Sequence, residues 1–170
     1  MPYTLYDGSI VQAKGAIASL IHLVELAEKQ SNADAILTAS LHPTMKPFTF
    51  QIFVVLWLTE MMLAKLTGRE AASVENNITT YTEAKERLEA LQKSLSTADK
   101  DVVNSNGDKL GPVKMGPTDL GEHTAAYHCT SILLPNIYFH LTTAYGIMRK
   151  EGVPLEKVDY LTSFVKAPTA

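Results

Sequence analysis

The hydrophobic positions of this chain fall into long helical patterns separated by short polar breaks. The first pattern steps by three and four residues after Ser9, which predicts an amphipathic helix. A shorter helix is predicted over residues 33–39. A second long helix is predicted from Pro47 to just before Gly68, and it is apolar on all sides over residues 50–58, as is typical of a deeply buried helix. The stripe of the first helix consists of Ile10, Ala13, Ile17, Leu20, Val24 and Ala27.

A third helix is predicted where Thr80 and Glu83 form a capping box, in which a hydroxyl and a carboxylate satisfy backbone N–H groups reciprocally. Its apolar stripe is narrow, which predicts an outer helix. Residues 104–118 are rich in Asn, Gly and Pro, and an Asn-Gly pair among them predicts a weak hairpin between residues 102–103 and 113–115. The stripe of the third helix consists of Ala84, Leu88, Leu91 and Leu95.

The fourth long helix is predicted from about Thr118 to Gly152, with Pro135 in its interior. A proline there removes a backbone hydrogen bond and clashes with the carbonyl four residues earlier, so we expect a kink. Four long helices predict an all-α fold, a four-helix bundle with a small hairpin-like loop before the kinked fourth helix. We expect a single domain over residues 1–170.

Composition and charge narrow the classes of function. Apolar residues make up 46% of the chain and charged residues 19%, which is typical of a folded domain. The net charge is -3 without a cluster of Lys and Arg, which argues against nucleic acid as a partner. The N-terminus shows no signal peptide, and the longest near-continuous apolar run, residues 52–58, is shorter than the ~20 residues of a membrane span. We expect a cytoplasmic protein that binds no membrane.

The histidines do not show the spacing of a helical metal site. Such a site places its ligands on one helix face, three or four residues apart. His123 and His128 are five residues apart, and Ala144 stands four residues after His140. The single cysteine, Cys129, excludes a CxxC-type site. We therefore expect no cofactor.

His140 is the strongest candidate for chemistry. It lies one turn after Asn136 and shares its helix face with Thr143, and a buried histidine near hydroxyl groups is suited to general acid–base catalysis. A structural histidine that is hydrogen-bonded to a backbone carbonyl fits the same pattern, and both interpretations stay open. Tyr127 follows His123 by one turn, so a His–Tyr acid pair is a second candidate.

Gln51 and Tyr145 complete the set of candidate polar residues. Gln51 is the strongly polar side chain in the apolar first half of the second helix, and a buried amide needs hydrogen-bond partners. Those partners belong either to a neighbouring helix end or to a ligand. Tyr145 lies on the fourth helix, where a buried tyrosine usually anchors packing while its hydroxyl finds one partner.

A set of motifs is spread over nearly the whole chain. The motifs are Tyr6-Asp7, the Met-x-Pro-Phe-x-x-Gln segment over residues 45–51, the Leu-x-Gly that ends at Gly68, Leu134-Pro135-Asn136-Ile137-Tyr138-Phe139-His140, Thr142-Thr143-Ala144-Tyr145, Met148-Arg149 and Gly152-Val153-Pro154. With them, the chain resembles an uncharacterised bacterial and fungal domain family of the DinB/YfiT-like superfamily. The resemblance implies an up-down-down-up four-helix bundle that is often dimeric.

The same resemblance implies where a site would lie. Better-known members of the superfamily resemble metal-dependent enzymes that bind nickel or zinc through three histidines, one early in the second helix and two as His-x-x-x-His in the fourth. In this chain the first position falls near Gln51, His140 occupies the second, and Ala144 stands at the third. The resemblance therefore implies a pocket in the same place without a complete metal site.

We expect a protein that binds a small apolar or aromatic molecule, and the resemblance implies that it is a homodimer. If it is an enzyme, the resemblance favours a metal-free isomerase, cyclase or lyase of secondary metabolism. One alternative is a metal-dependent enzyme whose missing ligands come from His42, His123 or His128, and the other is a non-catalytic dimeric binding or structural module. The catalytic candidates are His140 and Tyr127, and the substrate-binding candidates are Gln51, Asn136, Thr143, Tyr145 and His123.

Overall fold

The computed structural model describes residues 2–165, and most of these residues lie in helices. The other regular element is a two-stranded antiparallel sheet. The helices are α1 (Leu5–Gly8), α2 (Ile10–Glu28), α3 (Ala33–Thr38), α4 (Phe48–Thr67), α5 (Tyr81–Ser96), α6 (Lys100–Asn106), α7 (Ala125–Tyr127), a π-helical segment (His128–Leu133), α8 (Leu134–Lys150) and α9 (Lys157–Val165), and the strands are β1 (Leu110–Met115) and β2 (Thr118–Thr124).

The predicted bounds of the first three long helices are confirmed. Helix α4 begins directly after Pro47 and ends where Gly68 adopts a left-handed backbone with a φ of 74°. Helix α5 begins with the predicted capping box, in which the Thr80 hydroxyl accepts a hydrogen bond from the Glu83 backbone N–H at 3.2 Å. The apolar stripes of α2 and α5 are buried in one hydrophobic core, to which α4 and α8 also contribute.

Helix α9 packs along α2 and closes one side of the core. A Cβ atom at Gly15 would lie 2.6 Å from Cδ1 of Phe164, so the missing side chain of this glycine lets α9 approach. The Ser19 hydroxyl donates to the Tyr160 carbonyl at 2.9 Å, and His22 Nε2 lies 3.2 Å from Asp159 Oδ1. His22 is therefore half-buried against α9.

The hairpin joins different segments from those predicted. Residues 102–103 lie in α6 and not in a strand. Strand β1 pairs with β2, with Leu110 opposite Thr124 and the turn between residues 115 and 118. The prediction missed β2 because most of its side chains are exposed, so it lacks the alternation of apolar and polar residues that identifies a strand.

The fourth long helix begins later than Thr118, which contradicts that predicted bound. Residues 118–124 form β2, and helical backbone starts only at Ala125. The π-helical segment follows, and in it the Leu134 N–H donates to the Cys129 carbonyl five residues earlier. This wide turn directly precedes Pro135, which stands in the first turn of α8, where a missing N–H is tolerated. A kink was predicted at Pro135, and the structure places a π turn directly before this proline.

Two helical stretches are long and apolar enough to cross a membrane by length and composition alone. They are Leu5–Glu28 and Phe48–Thr67, each with a mean hydropathy of 1.4. The stretch Phe48–Thr67 has 20 residues, so it is much longer than the near-continuous apolar run over residues 52–58 that it contains. In these stretches 61% and 67% of the most apolar window is buried inside the fold. Core helices of globular domains show the same combination, so the composition does not distinguish the two cases.

Candidate functional site

Gln51 and His140 form a direct side-chain contact between α4 and α8. Gln51 is 2% exposed, and its amide nitrogen donates to the Lys46 carbonyl at 2.9 Å and lies 3.4 Å from the Pro47 carbonyl. Since carbonyl groups only accept hydrogen bonds, these contacts fix the orientation of the amide. Its Oε1 then faces His140 Nδ1 at 2.7 Å.

The contact with Gln51 determines which ring nitrogen of His140 holds the proton. An amide oxygen only accepts, so Nδ1 is the donor and the neutral ring keeps a lone pair on Nε2. Within residues 2–165, Nε2 makes no hydrogen bond, and the His140 residue is half-buried. Burial lowers the pKa of His140 from its usual value, because it disfavours the imidazolium. The ring is therefore a neutral base at pH 7.

Aromatic rings surround this imidazole on both helices. The Phe139 ring meets it edge to face with centroids 5.2 Å apart, and the Phe50 ring does so at 6.4 Å. Further along α4, the ring centroids of Phe50 and Phe53 are 5.8 Å apart, and the Phe53 ring stacks on Trp57 with centroids 6.5 Å apart. We call Phe50, Phe53 and Trp57 the aromatic row. Phe139 is 58% exposed and Trp57 42% exposed, so a planar molecule can reach the rings beside His140.

The polar side chains of Asn136 and Thr143, the other candidates near His140 on α8, differ in whether they can bond to a ligand. Asn136 lies one turn before His140 and is half-buried, and in the described part of the chain its side chain makes no hydrogen bond. Thr143 is 6% exposed, and its hydroxyl donates to the Phe139 carbonyl of its own helix at 2.7 Å. Asn136 therefore remains available to a ligand, whereas the Thr143 hydroxyl is already bonded.

Thr143 and Tyr145 line a separate groove on another side of α8. The groove has a volume of about 490 Å³, and His140 is not among the residues that line it. The Tyr145 hydroxyl lies 3.5 Å from the Leu155 carbonyl, and its ring meets Tyr160 edge to face at 6.5 Å. This tyrosine therefore mainly packs against the C-terminal part of the chain. The residues that line the groove are Leu41, Tyr138, Phe139, Thr142, Thr143, Tyr145 and Gly146.

His123 and Tyr127 form a pair of their own, away from His140. Their rings stack with centroids 4.5 Å apart, and His123 Nε2 lies 2.9 Å from the Leu120 carbonyl. Tyr127 is 46% exposed and lies 13 residues before His140 in a helical stretch, which corresponds to roughly 20 Å. The structure therefore does not bring His123 and Tyr127 to the His140 site.

The structure also buries His128, which the sequence pattern did not indicate. His128 is 6% exposed, and neither ring nitrogen has a hydrogen-bond partner among the residues that the structure describes. Burial lowers its pKa to about 4, and the nearby charges of Lys65 and His123 act in the same direction. No sequence pattern marks this position, since the π-helical segment that begins at His128 sets its orientation.

The residues present do not fit the three-histidine metal site that the superfamily implies. Gln51 holds Nδ1 of His140, and Ala144 lies fully buried in the core. Over residues 2–165, no group of three or more His, Cys, Asp or Glu side chains could hold a metal ion. His42 bonds to the Thr44 hydroxyl in an exposed loop. Burial raises the pKa of the Cys129 thiol to about 12, which disfavours the thiolate that metals bind.

The helical fold and its small sheet define a DinB-like domain. A crystal structure of a DinB family member protein from Shewanella denitrificans matches with a TM-score of 0.81 and 26% identity, covering 92% of this chain and 91% of that chain. The model of the DUF1993 family, a domain of unknown function, matches residues 5–161, and the chain belongs to this family. A search of curated proteins found none that matches.

Proposed function

We propose that this chain binds a small apolar or aromatic molecule at His140 and transfers a proton to or from it. The observation that carries the proposal is the 2.7 Å contact between His140 Nδ1 and Gln51 Oε1. It orients the ring and leaves a lone pair on Nε2, and two phenyl rings pack against the imidazole. A neutral histidine held in one tautomer by a fixed acceptor is the arrangement that general base catalysis uses.

In the proposed reaction, Nε2 takes a proton from an acidic C–H group of the bound molecule. The resulting imidazolium keeps its Nδ1–H bond to Gln51, whose oxygen stabilises the positive charge. Return of the proton to a different atom of the same molecule gives an isomerisation, and ring closure or loss of a leaving group gives a cyclase or a lyase. Asn136, one turn away, is available to bind a carbonyl oxygen.

Deuterium exchange tests this proposal without knowledge of the natural substrate. Phenylacetone in D2O offers acidic C–H groups beside a carbonyl, and its exchange is followed by proton NMR. We expect the protein to accelerate exchange and His140→Gln to abolish the acceleration. The control is His42→Gln, which changes an exposed histidine of the loop before α4. Wild-type exchange no faster than in buffer, together with unchanged His140 ring signals, would contradict the proposal.

We also propose that two copies associate through the aromatic row. The row is continuous, and Trp57 at its end is 42% exposed; exposed apolar surface of this kind marks interaction sites. A second copy over the row would shield the His140 site from water. Light scattering on Trp57→Lys is the test, and we expect this variant to be monomeric where the wild type is a dimer.

For the arrangement of the fold, we propose the up-down-down-up four-helix bundle formed by α2, α4, α5 and α8. Two contacts support it. The Lys85–Glu28 ion pair at 2.6 Å joins the start of α5 to the end of α2, so these helices run antiparallel. The Tyr138 hydroxyl lies 3.3 Å from Gln12 Oε1, with both residues near the start of their helices, so α2 and α8 run parallel.

A further inference from the structure

Lys46 lies at the His140 site without an opposite charge. Its Nζ lies 5.8 Å from the centroid of the Phe50 ring, and the same ring meets His140 at 6.4 Å. The Lys46 carbonyl also accepts the hydrogen bond from Gln51 that orients the amide. The ammonium and the imidazole therefore flank one phenyl ring, and the backbone that positions the ammonium also positions the imidazole.

The surroundings of this ammonium contain no acidic residue along the two flanking segments. Residues 35–59 include no Asp or Glu, and neither do residues 123–150. Within the described residues, Lys46 makes no ion pair. An uncompensated positive charge beside neutral aromatic rings favours an anionic partner.

We infer that the ligand of the His140 site is an aromatic carboxylate, whose ring packs against Phe50 and Phe139 and whose carboxylate faces Lys46. The inference rests on the proposed function and specifies that the ligand carries a negative charge. The rings provide a planar apolar surface, and the neutral imidazole provides a hydrogen-bond acceptor. A carboxylate is the common anion that combines a planar shape with attachment to a ring, and an ammonium binds it as a point charge.

The test compares phenylacetate with phenylacetamide, which have the same shape and differ in charge. Affinity is measured by calorimetry, and the position of binding is read from the NMR signals of the His140 ring. Because Lys46 is exposed, we expect phenylacetate to bind only about five-fold more tightly. The preference should shrink in high salt, which screens exposed charges.

Three variants assign the preference to Lys46. Lys46→Gln should abolish it, and Lys46→Arg should keep it because the charge remains. Lys93→Gln is the matched control, because it removes an exposed lysine from α5. Equal affinity for the two compounds, with His140 signals shifted by both, would overturn the inference and leave the proposed function intact. A preference that survives Lys46→Gln would also overturn it. If neither compound moves the His140 signals, both proposals fail.

Discussion

Two histidines face α4 from the same helical stretch, and their surroundings are opposite. His140 is half-buried, with one ring nitrogen bonded to Gln51 and no hydrogen bond to the other within residues 2–165. Among the described residues, His128 has no partner for either nitrogen, and both are sealed. Burial lowers the pKa of both. A lowered pKa therefore does not by itself identify a site, whereas the fixed tautomer of His140 supports the proposed one.

The π-helical segment explains how both histidines come to face α4. His128 and His140 are 12 residues apart, which in a regular α-helix places them about 120° apart around the axis. A π turn inserts one extra residue, and this reduces the offset to roughly 20°. Both the π-helical segment and α8 contact α4. The insertion therefore turns His128 into the interface, where Gln51 bonds to His140 but none of the side chains of residues 2–165 bonds to His128.

The largest expected effect is the loss of function in His140→Gln. Removing a general base lowers the rate of proton transfer by about 100-fold or more, while the half-buried position keeps the melting temperature close to that of the wild type. Exchange rates and thermal unfolding measure the two quantities. A variant that melts much earlier but exchanges phenylacetone normally would show that His140 is a structural residue.

The second prediction concerns His128→Leu, which should stabilise the protein. Replacing an unpartnered imidazole by an apolar side chain removes a penalty of about 1–3 kcal/mol at pH 7. Denaturant unfolding measures this change, with His42→Leu as the control at an exposed position. If His128→Leu destabilises the protein by a similar amount, the imidazole has a partner that the described residues do not include.

The same variant should alter the dependence of stability on pH. The folded pKa of His128, about 4, is below the ordinary 6.5, so the unfolded chain binds this proton first. Protonation of His128 therefore does not reduce the free energy of unfolding above pH 6.5. As the pH falls towards 4, protonation of the unfolded chain lowers that free energy, by about 3 kcal/mol at pH 4. Wild type should lose that much more than His128→Leu between pH 7 and pH 4. Lys65 and His123 are present in both proteins, so the difference isolates His128.

The contrast between these histidines also shows what the sequence could predict. The helices α2, α4 and α5 follow from apolar spacing and from local caps, which are properties of neighbouring residues. Strand β2 and the π turn carry no such local pattern. Gln51 and His140 could each be selected as buried polar residues, but their pairing spans 89 positions. The separation of Tyr127 and His123 from His140, and the groove that Thr143 and Tyr145 line, depend on rotation and tertiary packing, which spacing does not determine.

A third, smaller effect is expected from Gln51→Glu, which places a carboxylate beside Nδ1 of His140. An adjacent negative charge favours the imidazolium, so the pKa of His140 should rise by about 1 unit or more. NMR titration of the ring signals measures this shift. Thr143→Val is the control, because the Thr143 hydroxyl is bonded to its own helix and should leave the pKa unchanged. An unchanged pKa in Gln51→Glu would mean that the side chains do not touch in solution.

The smallest expected effect is on the stability of Pro135→Ala. The substitution restores a backbone N–H, which stabilises the helix if it finds an acceptor, but it also makes the unfolded chain more flexible. These contributions oppose each other, so the free energy of unfolding should change by less than about 1 kcal/mol. The geometry can still change, because a helix without the proline can lose its π turn and rotate His128 relative to His140. We therefore expect the stability to be nearly unchanged while the His140 NMR signals and the affinity for phenylacetate shift. A loss of several kcal/mol with unchanged ligand binding would show that Pro135 serves packing alone.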